Sequence, residues 1–339
     1  MTPSCAPPTF VDVLEARRRL RAYLRPTPLH PYPALSELVG AQVWVKHENH
    51  QPVGAFKVRG GINLVSHLTA EERQRGLVAA STGNHGQSLA YAGRLFETPV
   101  VICVPEGANP VKVTSMRDLG ADVVAVGQDF DDARHYCERL ATDHGYRYVH
   151  SGNEPLLIAG VATQTLEIIE DQPGVDVIIV PVGGGSGAAG ACVVRQACAG
   201  DVQVVGVQSD AAPAAHRSWR ERRLVEDRMG TFAEGLATRT AFDLPQRILW
   251  DHLDDFVLVS DEEIRAAMLL MIDKTRNLVE AAGAAPLAAA LSMSERLAGK
   301  TVALICSGGN IGLPQLAELL RPRDRASGPE RITTRWGDV

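Results

Sequence analysis

Aromatic residues are scarce in this chain, at 5% of its 339 positions. No basic stripe with interleaved aromatics is present, so nothing in the sequence suggests a nucleic-acid surface. No apolar run reaches the ~18 residues that a membrane-spanning helix requires. The opening MTPSCAPPTF has neither a charged n-region nor an apolar h-region, and a signal peptide is not expected. The six cysteines (Cys5, Cys103, Cys137, Cys192, Cys198 and Cys306) contain no C-x-x-C pair. That spacing argues against a zinc site and against a disulfide framework, and a cytoplasmic protein is expected. Cys103 and Cys306 fall inside the strand-like runs VVICVP and VALICSG, where they read as small core hydrophobes.

What is present is an ordinary globular composition, 45% hydrophobic and 22% charged, with a net charge of −6. The length suggests two domains or one large one. The densest basic run, EARRRLRAYLR, alternates arginines with leucines at helical spacing and reads as a solvated helix face. Short β-branched runs then alternate with helical patterns along the whole chain. Strands are expected at 42–48, 76–82, 99–105, 121–127, 146–151, 175–182, 202–208 and 255–260, and in KTVALICSGG. Helices are expected at 129–144, 156–170, 186–199, 261–277 and 284–297, with a charged connection over 216–228. This alternation predicts an α/β fold, with parallel sheets covered by helices on both faces. Ligands in such folds bind at the carboxyl ends of the strands. The loops that follow strands are therefore the place to look for function.

Three of these loops are rich in glycine. VPVGGGSGAAG lets the backbone approach an anion at a helix N-terminus, which fits a phosphate. The same stretch spells G-x-G-x-x-G at Gly185, Gly187 and Gly190, with Asp210 about 20 residues on, which also fits a dinucleotide. STGNHG sets Ser81, Thr82, Asn84 and His85 on one short loop and suits a carboxylate or a polar ring. CSGGNIG places Ser307 at a strand tip. Lys57, in GAFKVRGG, is framed by Phe56 and Val58, and burial there would lower its pKa. A neutral amine can form a Schiff base with an aldehyde. A phosphate cradle, such a lysine and groups to grip a ring together describe pyridoxal 5′-phosphate. A nicotinamide-dependent dehydrogenase would use the glycines but leave Lys57 and STGNHG unexplained.

At these residues the chain resembles the fold-type II pyridoxal-phosphate enzymes (tryptophan synthase β-like), in the serine/threonine dehydratase (threonine ammonia-lyase) and serine racemase branch. ENHQPVGAFKVRGG resembles the family's Schiff-base motif E-x-x-x-P-x-G-S-F-K-x-R-G. STGNHGQSLA, VPVGGGSGAAG and CSGGNIG resemble its other three motifs, in family order from about Thr27 to Leu313. The resemblance implies that Lys57 binds the cofactor and shuttles the α-proton, with Phe56 packed nearby. It implies that Asn84 meets the ring's phenolic oxygen and Ser307 its nitrogen. Gly183, Gly184, Gly185, Ser186 and Gly187 would hold the phosphate. Ser81, Thr82 and His85 would receive the substrate carboxylate, Glu234 would lie near the substrate side chain, and Glu280 near the ring. A large domain over 1–75 and 153–325, a small mobile domain over 76–152, a tail over 326–339 and a homodimer are likewise implied.

The expected activity is elimination of water from a β-hydroxy amino acid, giving a 2-keto acid and ammonia. Serine and threonine are the default substrates. A bulkier one such as phenylserine, or a hydroxyectoine-derived compound, is an alternative. Thr82 stands where racemases of this branch carry a serine base, so racemisation is the disfavoured alternative. β-Replacement of the cysteine-synthase kind and a non-catalytic ligand sensor complete the readings. Other departures from the family pattern are Ala55 in place of serine and Val161 in place of glutamine. Gln208 and Ala214 replace the glutamate and aspartate of a divalent-cation site. Asp210 alone supplies too few oxygens, and no metal site is expected. Only a short segment follows Leu320, so feedback control is not expected and a catabolic role is favoured.

Overall fold

The computed structural model describes residues 5–321, so the tail expected at 326–339 lies outside the described residues. The elements run in order α1 (Phe10–Leu20), β1 (Leu29–Pro31), α2 (Pro33–Val39), β2 (Gln42–His47), α3 (Lys57–Ser66), α4 (Ala70–Arg75), β3 (Leu77–Ala80) and α5 (Asn84–Leu95). Then come β4 (Val100–Val104), α6 (Pro110–Asp118), β5 (Asp122–Ala125), α7 (Phe130–His144), β6 (Arg147–Tyr148), α8 (Pro155–Asp171), β7 (Val177–Pro181), α9 (Ser186–Cys198) and β8 (Gln203–Ser209). The chain continues through α10 (Ala214–Glu221), α11 (Asp243–His252), β9 (Asp255–Val259), α12 (Asp261–Thr275), α13 (Ala281–Ser292), α14 (Ser294–Leu297), β10 (Thr301–Cys306) and α15 (Leu313–Leu319).

Among the described residues the strands form two sheets, ordered β1-β2-β10-β7-β8-β9 and β5-β4-β3-β6. Every pairing is parallel except β1 with β2. The Val/Ile runs of β4 and β7 are buried along nearly their whole length because helices cover both faces of each sheet. No described helix is long and apolar enough to cross a membrane. The antiparallel strand β1 is a departure from the all-parallel expectation. It carries Pro31 and sits at the sheet edge, where a missing N–H costs no ladder bond.

Other departures have local causes. The strand expected over 146–151 pairs only at Arg147 and Tyr148, because His150 Nδ1 then accepts from the Gly152 and Asn153 N–H groups and turns the chain. The charged connection at 216–228 contains helix α10. Its Trp219 indole donates to the Leu249 carbonyl at 3.0 Å, so tertiary packing holds a segment whose charges read as loop. Helix α11 has no counterpart among the expected elements. The single helix expected at 284–297 is broken at Met293, next to Ser292, whose hydroxyl folds back on the Ala289 carbonyl at 2.9 Å.

A buried ionic network joins β2, α3 and α8. Arg59 donates through Nε and Nη2 to the two oxygens of Glu48, each at 2.8 Å. It also reaches Glu167 at 2.6 and 2.8 Å. Lys46 Nζ completes the network, 2.7 Å from Glu167 and from the Thr27 carbonyl. Burial alone would raise the pKa of Glu48, but the adjacent Arg59 guanidinium overrides it and holds the carboxyl below its ordinary range. The network forms because α3 and α8 touch backbone to backbone. A Cβ at Gly160 would meet the Arg59 carbonyl oxygen at 2.6 Å, and one at Gly60 the Leu157 oxygen at 2.9 Å. Removing one partner of such a buried set strands the others. Arg59→Met should therefore lower unfolding free energy by about 3–5 kcal/mol. Urea denaturation checks this, and a loss below about 1 kcal/mol would mean that the network is energetically idle.

Candidate active site

Lys57 is the first residue of α3, and the segment before it is held against the end of β10. The Phe56 N–H donates to the Ser307 carbonyl at 3.0 Å, the Gly309 N–H to the Gly54 carbonyl at 2.9 Å, and Ala55 pairs with Gly308. These bonds place the lysine at the carboxyl end of the large sheet. Its Nζ donates to Ser186 Oγ at 2.8 Å and to the Ser151 carbonyl at 3.2 Å, and lies 5.2 Å from the Phe56 ring centre. Burial lowers the Lys57 pKa from 10.5 to about 8.

Loop 183–187 joins β7 to α9. Gly185 has φ +86°, a left-handed conformation that favours glycine. A Cβ at Gly183 would overlap the Gly235 carbonyl oxygen, and one at Gly184 would overlap the Phe242 ring. The first N–H groups of α9 have no partner within the helix and carry its positive end. A bare backbone concavity, a helix start and an amine bonded to Ser186 are the donor set that a phosphate-bearing aldehyde requires.

Loop STGNHG joins β3 to α5. Ser81 Oγ accepts from the N–H groups of Gly83, at 3.3 Å, and Gly86, at 2.9 Å, so it braces its own loop. Thr82 is half-buried beside it. Asn84 donates from Nδ2 to Glu280 Oε1 at 2.8 Å, while its Oδ1 accepts from Asn310 Nδ2 at 2.8 Å. Burial and then the nearby Lys57 push His85 down to about 3, so its imidazole is neutral at physiological pH. Burial raises the Glu280 pKa, partly offset by Lys112 and by the bond from Asn84.

The structure thus gathers Lys57, Phe56, Ser186 and Ser307 at the carboxyl ends of β7 and β10, with Asn84 and Glu280 as a bonded pair. Glu234 stands apart at the rim. It is exposed, ion-paired with Lys112 and 3.4 Å from Gln315 Nε2. Sequence reasoning missed several contributors. Asn310 lies inside the third glycine loop and was within reach, because it is a polar side chain in a binding loop. Ser151 contributes only its carbonyl, and Phe242 and Gly235 reach the site by packing, so neither leaves a residue-type signal. Gln208 is buried and spent on backbone, its Oε1 accepting from the His216 N–H at 3.0 Å.

The description "Pyridoxal-phosphate dependent enzyme" matches residues 20–308. The chain belongs to that family. It is 39% identical to an L-threonine ammonia-lyase of Thermotoga maritima, over 92% of this chain and 78% of the relative. It is 32% identical to an L-threo-3-hydroxyaspartate ammonia-lyase of Saccharomyces cerevisiae, over 94% and 98%. Its fold is similar to that of the processed form of threonine deaminase isoform 2 from Solanum lycopersicum, with a TM-score of 0.88 at 30% identity, covering 92% of this chain and 91% of that one. The fold-type II class, the cofactor pyridoxal phosphate and the lyase class expected from the motifs are all borne out, and the nicotinamide alternative falls away.

Two outcomes follow from the geometry. Gly183→Ala should weaken pyridoxal-phosphate binding at least about tenfold, because the added carbon meets backbone that cannot yield. Equilibrium titration followed by absorbance checks this, and unchanged affinity would remove loop 183–187 from the site. In the cofactor-free protein, capture of the aldehyde needs the neutral amine. A lowered pKa makes that form dominant above about 8, so the capture rate should rise through pH 8 and then level off. A rate that keeps climbing towards 10.5 would show an unperturbed lysine.

Proposed function

We propose that this enzyme removes water from a β-hydroxy amino acid of the serine or threonine type, releasing a 2-keto acid and ammonia. The observation that carries the reading is the Lys57 amine, with its lowered pKa, bonded at 2.8 Å to Ser186 in the glycine loop. Bound pyridoxal phosphate supplies a conjugated ring that accepts the electron pair left when the Cα–H bond breaks.

The protein's own groups do the rest. Lys57 Nζ takes the proton from Cα, and its depressed basicity lets it give that proton up again near neutral pH. Gly183 to Gly187 would hold the phosphate through backbone N–H groups, beside the Lys57 amine. The loop of Ser81, Thr82 and His85, at the start of α5, receives the substrate carboxylate. The Ser81 bonds keep that loop preformed, and neutral His85 adds no competing charge. The Asn84–Glu280 pair and Ser307 would orient the ring, with Phe56 beside it. Ser307 is a neutral partner and cannot hold a full proton at the ring nitrogen as a carboxylate would. A neutral partner there would favour prompt loss of the β-hydroxyl. Breaking Cα–H and Cβ–O releases one water. The resulting enamine tautomerises to an imine, which takes up water and yields the keto acid and ammonia. We further propose that residues 76–152 act as a small mobile domain, that the enzyme works in the cytoplasm, and that two chains form a homodimer.

Purified protein should be yellow and should release ammonia from serine, threonine or a bulkier β-hydroxy amino acid without any added nucleophile. Borohydride followed by mass spectrometry should place the adduct on Lys57, and Lys57→Ala should abolish both colour and turnover. A need for an added nucleophile would indicate β-replacement instead.

A further inference from the structure

Helix α6 belongs to the segment that carries the small sheet, yet Met116 is its only buried residue. The Met116 sulfur sits 2.5 Å from where a Cβ of Gly86 would stand, which pins the C-terminal half of α6 under α5. The other half of the helix carries Lys112. Its Nζ lies 3.9 Å from where a Cβ of Gly83 would stand, beside the carboxylate loop. The same ammonium pairs with Glu234, whose other carboxylate oxygen is reached by Gln315 Nε2 at 3.4 Å. The residue after Glu234 presses its carbonyl against Gly183 of the phosphate loop. The ion pair therefore links a group beside STGNHG to the neighbour of a residue packed on the phosphate loop.

We propose that Lys112 and Glu234 form a latch over the mouth of the site, and that Lys112 is a positioning residue which retains the bound amino acid. The assignment rests on the substrate reading of the preceding subsection. The pair suits a part that opens at every turnover. The Lys112 and Glu234 side chains are 12% and 43% exposed, so the pair is weak and screened by salt. A helix with a single buried anchor is also easily displaced. Ala233 and Leu236, on either side of the Glu234 segment, are buried in the large-sheet core, so the swinging partner is Lys112.

Lys112→Met tests this in the holoenzyme. KM should rise about fivefold with kcat changed less than about twofold, the size expected for a partly exposed pair. Added salt should raise KM in the wild type but not in the variant, a signature that a merely structural lysine would not give. Without substrate, borohydride should reduce the cofactor faster in Lys112→Met, and the exchanged pair Lys112→Glu with Glu234→Lys should restore the slower rate. Should Lys112→Met fold poorly, Glu234→Gln breaks the same pair and should show the same KM rise. Unchanged KM, salt response and reduction rate would overturn the latch. If the wild type releases ammonia from no β-hydroxy amino acid, the proposed reaction fails, while the reduction rates still decide the latch.

Discussion

The structure depends first on the guanidinium of Arg59. It is a buried cation flanked by two buried or nearly buried carboxylates, and it ties the end of β2, the first turn of α3 and the middle of α8 into one unit. Lys57 stands two residues before it on the same helix. The position of the reactive amine is therefore inherited from an ion network that makes no bond to the amine itself. A charge set of this kind would be costly if any member lacked a partner, so its completeness confines α3 to one place.

From that anchor the site is assembled by strand ends. β10 delivers Ser307 and the backbone that clamps Phe56, β7 delivers the glycine loop, and β3 delivers STGNHG. Parallel strands point the same way, so within each sheet their carboxyl ends face one side. The two sheets approach each other through α3 and α5, which share one apolar cluster. Polar contacts also join the two sides, Asn84 with Glu280 and Asn310 and Lys112 with Glu234, and the two kinds of contact suit two tasks. Apolar packing fixes Lys57 against the loops, while a screened pair can part and reform.

Much of this was legible in the sequence. The β/α alternation placed nearly every strand within a residue or two, because buried parallel strands are written as Val/Ile runs. The four motifs named the cofactor, because a phosphate cradle needs glycine and a Schiff base needs lysine. Other parts were not legible. Helix α10 reads as a charged loop, and packing against α11, through Trp219 and Trp250, holds it as a helix. The resemblance gives Asn84 a contact with the ring, and only the structure adds that Glu280 and Asn310 hold its amide in place. That pairing joins residues almost two hundred positions apart.

The sequence by itself determined the chemistry. A lysine set among apolar neighbours and glycines where side chains cannot fit are properties of residue type and spacing, and both survive without coordinates. Only the tertiary structure decided what surrounds that chemistry. The depressed pKa of Lys57, the neutrality of His85 and the pairing of Lys112 with Glu234 depend on burial and on distances between segments remote in the chain. Such quantities are set by packing, and no local pattern encodes them.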